Sequence, residues 1–129
     1  MKNLIIGLFI FGLTTPAFAH EGHSHGSLSA PHGGAVYDGK NGGVELVQEG
    51  SKLKLYPVDG SWKLIAVKDV EMSAQVEFPK KKPEALNLKK ETDHFSAEVD
   101  AKGAYRYQVA LTMTVKGNKE SLKFQVEPQ

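Results

Sequence analysis

The sequence predicts an all-β protein, an antiparallel two-sheet sandwich that is immunoglobulin-like in the broad sense. Three observations predict it. Apolar residues alternate with polar ones at a period of two through most of the chain beyond Gly34, as strands with one buried face require. Turn signals rich in Gly, Pro, Asn and Asp separate these runs into seven or eight short strands. No segment carries a helical period, so two packed sheets are the economical way to bury the apolar faces. With no cysteine in the chain, the Cys-Trp-Cys hallmark of antibody domains is absent, and only the general sandwich class is predicted.

The chain opens on a short positive leader, Met1-Lys2-Asn3, then an apolar run from Leu4 to Leu13 and a small-residue ending, Ala17-Phe18-Ala19. This is the anatomy of a cleaved secretory signal peptide over residues 1–19, and the run is too short to span a bilayer. The expected location is therefore periplasmic or secreted, with no membrane span after cleavage. Residues 20–34, HEGHSHGSLSAPHGG, form a His-rich flexible segment with almost nothing in it that could build a core. Residues 35–129 are the expected sandwich domain.

Within that domain Val36, Val44 and Leu46 begin the alternation, and Leu53 and Leu55 continue it until Pro57, which suits an edge or a strand end. After the turn Asp59-Gly60-Ser61, Trp62, Leu64 and Ala66 suggest a short strand. Val70, Met72, Ala74, Val76 and Phe78 give a clean inward face. Pro79-Lys80-Lys81-Lys82-Pro83 is a charged loop whose lysines are solvated. Leu86 and Leu88 mark the next strand, and Phe95, Ala97 and Val99 another. The longest alternation runs Tyr105, Tyr107, Val109, Leu111, Met113, Val115; the hairpin signal Lys116-Gly117-Asn118-Lys119 then returns the chain through Leu122, Phe124 and Val126.

Composition excludes several functions. The 16 basic and 15 acidic side chains balance once Lys2 leaves with the leader, which gives no electrostatic case for nucleic acid or an anionic membrane. Zero cysteines removes disulfides, thiolate metal sites and Cys nucleophiles, so stability must come from packing. No G-x-S-x-G, H-E-x-x-H, P-loop or G-x-G-x-x-G occurs, and no enzymatic activity is expected. Met72 and Met113 fall on inward faces and are core residues; Trp62 and the tyrosines are core and rim.

Four of the five histidines fall in residues 20–34. Neutral imidazole is the commonest protein ligand for late first-row metals, so the segment points to a divalent transition metal, copper or zinc first. His23 and His25 are one residue apart between Gly22 and Gly26, which let both rings reach one ion. His20, once cleavage frees its α-amine, adds a chelate suited to Cu(II). Ordering His20 to His25 costs about 6–12 kcal/mol, against on the order of 10–16 for a closed structural zinc site. The surplus is small, so the expected site is weak and exchangeable, fit for buffering, delivery or resistance, and binding fades below about pH 6.5 as imidazole protonates. His32 sits at a hinge between Pro31 and Gly33-Gly34. His94 opens a strand and, with Phe95 inward, points out; Glu45, between Val44 and Leu46, also points away from the core. If folding gathers His32, Glu45 and His94, they form a second, better-ordered site. The alternative of a different class is a sandwich that binds no metal and docks on an envelope protein complex.

Pro31-His32-Gly33-Gly34, Asp38-Gly39, Val44-Glu45-Leu46-Val47 and the strand Leu53-Lys54-Leu55-Tyr56, with His94-Phe95 downstream, resemble the His-Gly-Gly N-terminal segment of some periplasmic adaptor subunits of heavy-metal efflux pumps, and small exported proteins related to it. The resemblance implies a β-sandwich module with a heavy-metal role, a link to an efflux or other envelope complex, and His32, Glu45 and His94 as candidate metal residues. The chain lacks the length for an adaptor's helical hairpin and further β domains and is not expected to bridge a pump. A second resemblance, to small periplasmic copper-resistance sandwiches whose mature chain begins with histidine, rests on Ala19-His20.

Overall fold

The computed structural model describes residues 28–129. The signal-peptide assignment and His20, His23 and His25 lie outside these residues. The predicted two-sheet sandwich is what forms, with both sheets fully antiparallel. Nine strands follow in chain order. They are β1 (Ala35–Gly39), β2 (Gly42–Glu49), β3 (Lys52–Val58), β4 (Val70–Glu77), β5 (Glu84–Leu86), β6 (Lys89–Lys90), β7 (Phe95–Glu98), β8 (Tyr107–Val115) and β9 (Asn118–Val126). One sheet has the order β1-β2-β3-β7-β6, the other β5-β4-β8-β9. The chain crosses between sheets after β3, β5 and β7, and no helix among the described residues is long and apolar enough to cross a membrane.

The core lies between the sheets, where period-two alternation delivers one face of every long strand. Val44, Leu46, Leu53, Leu55 and Phe95 from the first sheet join Val70, Val76, Val109, Leu111, Met113, Phe124 and Val126 from the second in one buried cluster. Full burial of each such side chain stabilises by roughly 1.5–3 kcal/mol, which is how a sandwich without disulfides holds. At the open edge Tyr37 of β1 stacks on Phe124 of β9 with ring centroids 4.3 Å apart. Beside it the Glu120 carboxylate accepts the backbone N–H groups of Lys40 and Asn41 at 3.0 and 3.1 Å, fastening the β1–β2 turn to the opposite sheet.

Leu86 and Leu88 do not share a strand, since β5 ends at Leu86, and Val36 lies opposite Glu45 on the outer face, with Tyr37 opposite Val44. Three other local expectations fail for identifiable reasons. Pro57 neither ends a strand nor lies on an edge: it is fully buried within β3, a central strand. Its carbonyl, on the side away from β2, accepts from Ile65 N–H at 2.9 Å, and β7 begins only opposite Leu55. The missing Pro57 N–H therefore faces past the end of β7 and deletes no ladder bond. Trp62 to Ala66 form no strand; they make a single bridge, Val58 to Leu64, before a 3-10 turn at Val67–Asp69. The Trp62 indole N–H donates to Asp38 at 2.8 Å, so this crossover is tied to β1 by a side chain. Tyr105 does not start β8: the strand begins at Tyr107, and Tyr105 is 80% exposed.

Candidate metal centre

The register of three strands sets out one row of side chains. Glu45 of β2 lies opposite Tyr56 of β3, and Leu55 lies opposite Phe95 of β7. His94, one residue before Phe95, therefore falls beside Tyr56. Since Val44, Leu46, Leu55 and Phe95 face the core, alternation puts Glu45, Tyr56 and His94 on the outer face of the first sheet.

An outward carboxylate should be solvated, yet Glu45 has no exposed surface. Its cover is the segment Pro31 to Gly34. A turn closes with Gly33 N–H donating to Ala30 C=O at 3.1 Å, Pro31 taking the second position that its fixed φ favours. Gly33 then adopts φ +71°, which brings the N–H groups on either side of it to one carboxylate. His32 N–H donates to Oε2 at 2.8 Å and to Oε1 at 3.1 Å, and Gly34 N–H donates to Oε2 at 2.9 Å. The His32 ring adds Nδ1 to Oε1 at 2.7 Å. A Cβ on Gly34 would stand 2.3 Å from the Leu46 carbonyl oxygen, so only glycine lets the segment lie this close to β2. Both glycines of the His-Gly-Gly motif are thus required, one by its dihedral and one by contact. Burying an ion is costly unless its lone pairs are taken, and here they are.

The His32 ring, a third exposed, stacks on Tyr56 with centroids 3.8 Å apart and planes 23° from parallel. His94 leans on the same Tyr56 ring at 5.1 Å and 39°. It closes the β6–β7 loop, its carbonyl accepting from Glu91 N–H at 2.8 Å, and its Nδ1 meets Asp93 Oδ1 at 2.6 Å. That hydrogen bond, with the nearby imidazole charges, holds the Asp93 carboxyl below its ordinary value against a smaller opposing effect of burial. Burial, with the charge of Asp93, pushes the Tyr56 phenol up.

The two histidines share one arrangement. With the carboxylate as acceptor, Nδ1 is the donor in each pair, and Nε2 is the nitrogen turned away from the carboxylate. The Nε2 of His94 is buried without a hydrogen-bond partner. A carboxylate that orients an imidazole through one nitrogen while the other is left to coordinate is the usual outer-shell pattern of metal-binding histidine.

Folding therefore brings His32, Glu45 and His94 onto one patch, and the roles differ. Glu45 has both oxygens engaged by donors and supports His32. Among the described residues, no three or more His, Cys, Asp or Glu side chains are grouped to hold a metal ion. Tyr56 and Asp93 belong to the patch and were not singled out from the sequence. The available signals were the outward position of Tyr56, two residues after Lys54 on the same strand face, and the adjacency of Asp93 to His94. Comparison with family models, curated proteins and solved structures gives no match.

Proposed function

We propose that this protein is an exported β-sandwich that captures a transition metal, copper or zinc, for buffering, delivery or resistance. The ordered binding face in this reading is the His32–Tyr56–His94 patch, with His32 and His94 coordinating through Nε2 and Glu45 and Asp93 orienting them. His20, His23 and His25, just upstream, act as an exchangeable collecting group, and an efflux or other envelope complex is the receiving partner.

The observation that carries the reading is the pair of carboxylate-anchored imidazoles on one aromatic ring, one of them with a buried and unpaired Nε2. An unsatisfied buried polar atom costs about 1–3 kcal/mol, a penalty that a bound ion removes. His32 is held in its turn by the Glu45 carboxylate and His94 directly precedes β7, so the patch avoids the entropy that a site made of residues 20–25 alone has to overcome. The leader at residues 1–19 supports export.

Calorimetric titration of the chain beginning at His20 with Cu(II) and Zn(II) at pH 7.5 tests the proposal. The expected result is saturable binding, reduced in the H20A/H23A/H25A variant and abolished when H32A and H94A are added. Heats indistinguishable from dilution for the intact chain would rule out the metal reading and leave the docking module.

A further inference from the structure

We infer that a cationic cleft at one end of the sandwich docks an extended acidic segment of a partner protein. The cleft is separate from the histidine patch, since His94 precedes β7 and a loop that builds the cleft follows that strand. Metal binding is not needed for it.

Strands β4 and β8 last pair at Glu77 and Gln108, and the chain beyond each of them forms a turn. One is Phe78-Pro79-Lys80-Lys81, where Lys81 N–H donates to the Phe78 carbonyl at 3.1 Å; the other is Ala101-Lys102-Gly103-Ala104, where Ala104 N–H donates to the Ala101 carbonyl at 2.9 Å. Between the turns lies a cavity of about 470 Å³ lined by Phe78, Lys81, Lys102, Tyr105 and Arg106. A second depression of about 320 Å³ shares Phe78, Pro79 and Arg106 with the first and continues past Lys80 to Gln108 and Gln125. A single small ligand is enclosed by one hollow. Two open hollows with Arg106 common to both suit several residues of extended chain.

Charge and exposure give the chemistry of that chain. Lys80, Lys81, Lys102 and Arg106 form no ion pair with a described residue. Asp100 belongs to the second loop, but its carboxylate accepts the Lys102 backbone N–H at 2.9 Å, and Glu77 borders only the second depression. This end therefore carries positive charge that its own acids leave unmatched. Beside it the Tyr105 ring is 80% exposed, and tyrosine and arginine are the side chains that most often anchor protein interfaces. Carboxylates on either side of an apolar residue complement both features.

The backbone lets charge be tested apart from folding. Lys102 takes φ +51°, where glycine costs less, and Lys116 does the same at φ +50° in the β8–β9 turn, at the other end of β8 from the cleft. The test selects a random peptide display library on the chain beginning at His20 and titrates the enriched peptides by NMR. They should carry Asp and Glu around an aromatic or aliphatic residue, shift the amides of Lys81, Lys102 and Arg106, and bind less tightly as salt rises. The exposed-residue variant K81E/R106E should weaken them by about a hundredfold or more, and Tyr105→Ser by about tenfold. Lys102→Gly should raise the urea midpoint and weaken the peptides, whereas Lys116→Gly should raise the midpoint alone. A library that yields no acidic peptides, or peptides whose affinity K81E/R106E leaves unchanged, would overturn the docking site. Retention on phosphatidylserine vesicles that K81E/R106E abolishes, with no acidic peptide enriched, would assign the cleft to an anionic membrane and overturn the protein partner.

Discussion

Glu45 shows how one side chain can be legible in direction and illegible in environment. Its place between Val44 and Leu46 says that it points outward, and it does; nothing near it in sequence says that it is sealed, because the cover comes from Pro31 to Gly34. The same holds for Tyr56 and Asp93, whose roles arise only when β3 and the β6–β7 loop become neighbours. Removing the Glu45 carboxylate strands the donors that converge on it, so Glu45→Ala should lower unfolding free energy by about 2–4 kcal/mol in a urea titration. Gly34→Ala drives a Cβ into the Leu46 carbonyl, a backbone atom that cannot step aside. That variant should lose about 2 kcal/mol, and its residue 32 and 34 amides should exchange with solvent markedly faster than in the parent. Amide protection equal to the parent's would contradict the close approach.

At the scale of elements, alternation made β4, β8 and β9 legible because each is long enough for three to five inward apolar residues to declare a face. Shorter stretches misled. Trp62, Leu64 and Ala66 alternate as a strand does, but the chain is crossing between sheets there, and Trp62 is fixed by its bond to Asp38. Tyr105 continues the β8 pattern on paper and is left in solvent because the strand has no partner before Tyr107, which pairs with Val126. Pro57 was misread because its compatibility depends on where a different strand starts. Since that proline deletes no ladder bond, Pro57→Ala regains nothing in the folded state and adds freedom to the unfolded chain. It should destabilise by about 0.5–1 kcal/mol; a stabilised variant in the same urea assay would show that the ring was breaking a hydrogen bond after all.

For the whole molecule, one tyrosine ties stability to alkaline pH. Burial pushes the Tyr107 hydroxyl up to about 12. The unfolded chain gives up that proton near its ordinary value of about 10, so between these limits the unfolded state binds fewer protons and stability falls as pH rises. The contribution is complete below about pH 10 and is lost as pH approaches about 12. Tyr107→Phe should flatten that decline relative to the parent, as read by urea midpoints at several alkaline pH values. Parallel curves for the two proteins would place the alkaline sensitivity elsewhere. At the other side of the sandwich, the His94 Nε2 left without a partner makes the free protein incomplete by one interaction. Whatever satisfies that atom binds the folded chain and not the unfolded one, and adds about 2.7 kcal/mol at a free concentration of a hundred times its dissociation constant. The melting temperature is then no fixed property of the polypeptide. If the proposed function holds, it reports how much of the bound metal ion surrounds the protein.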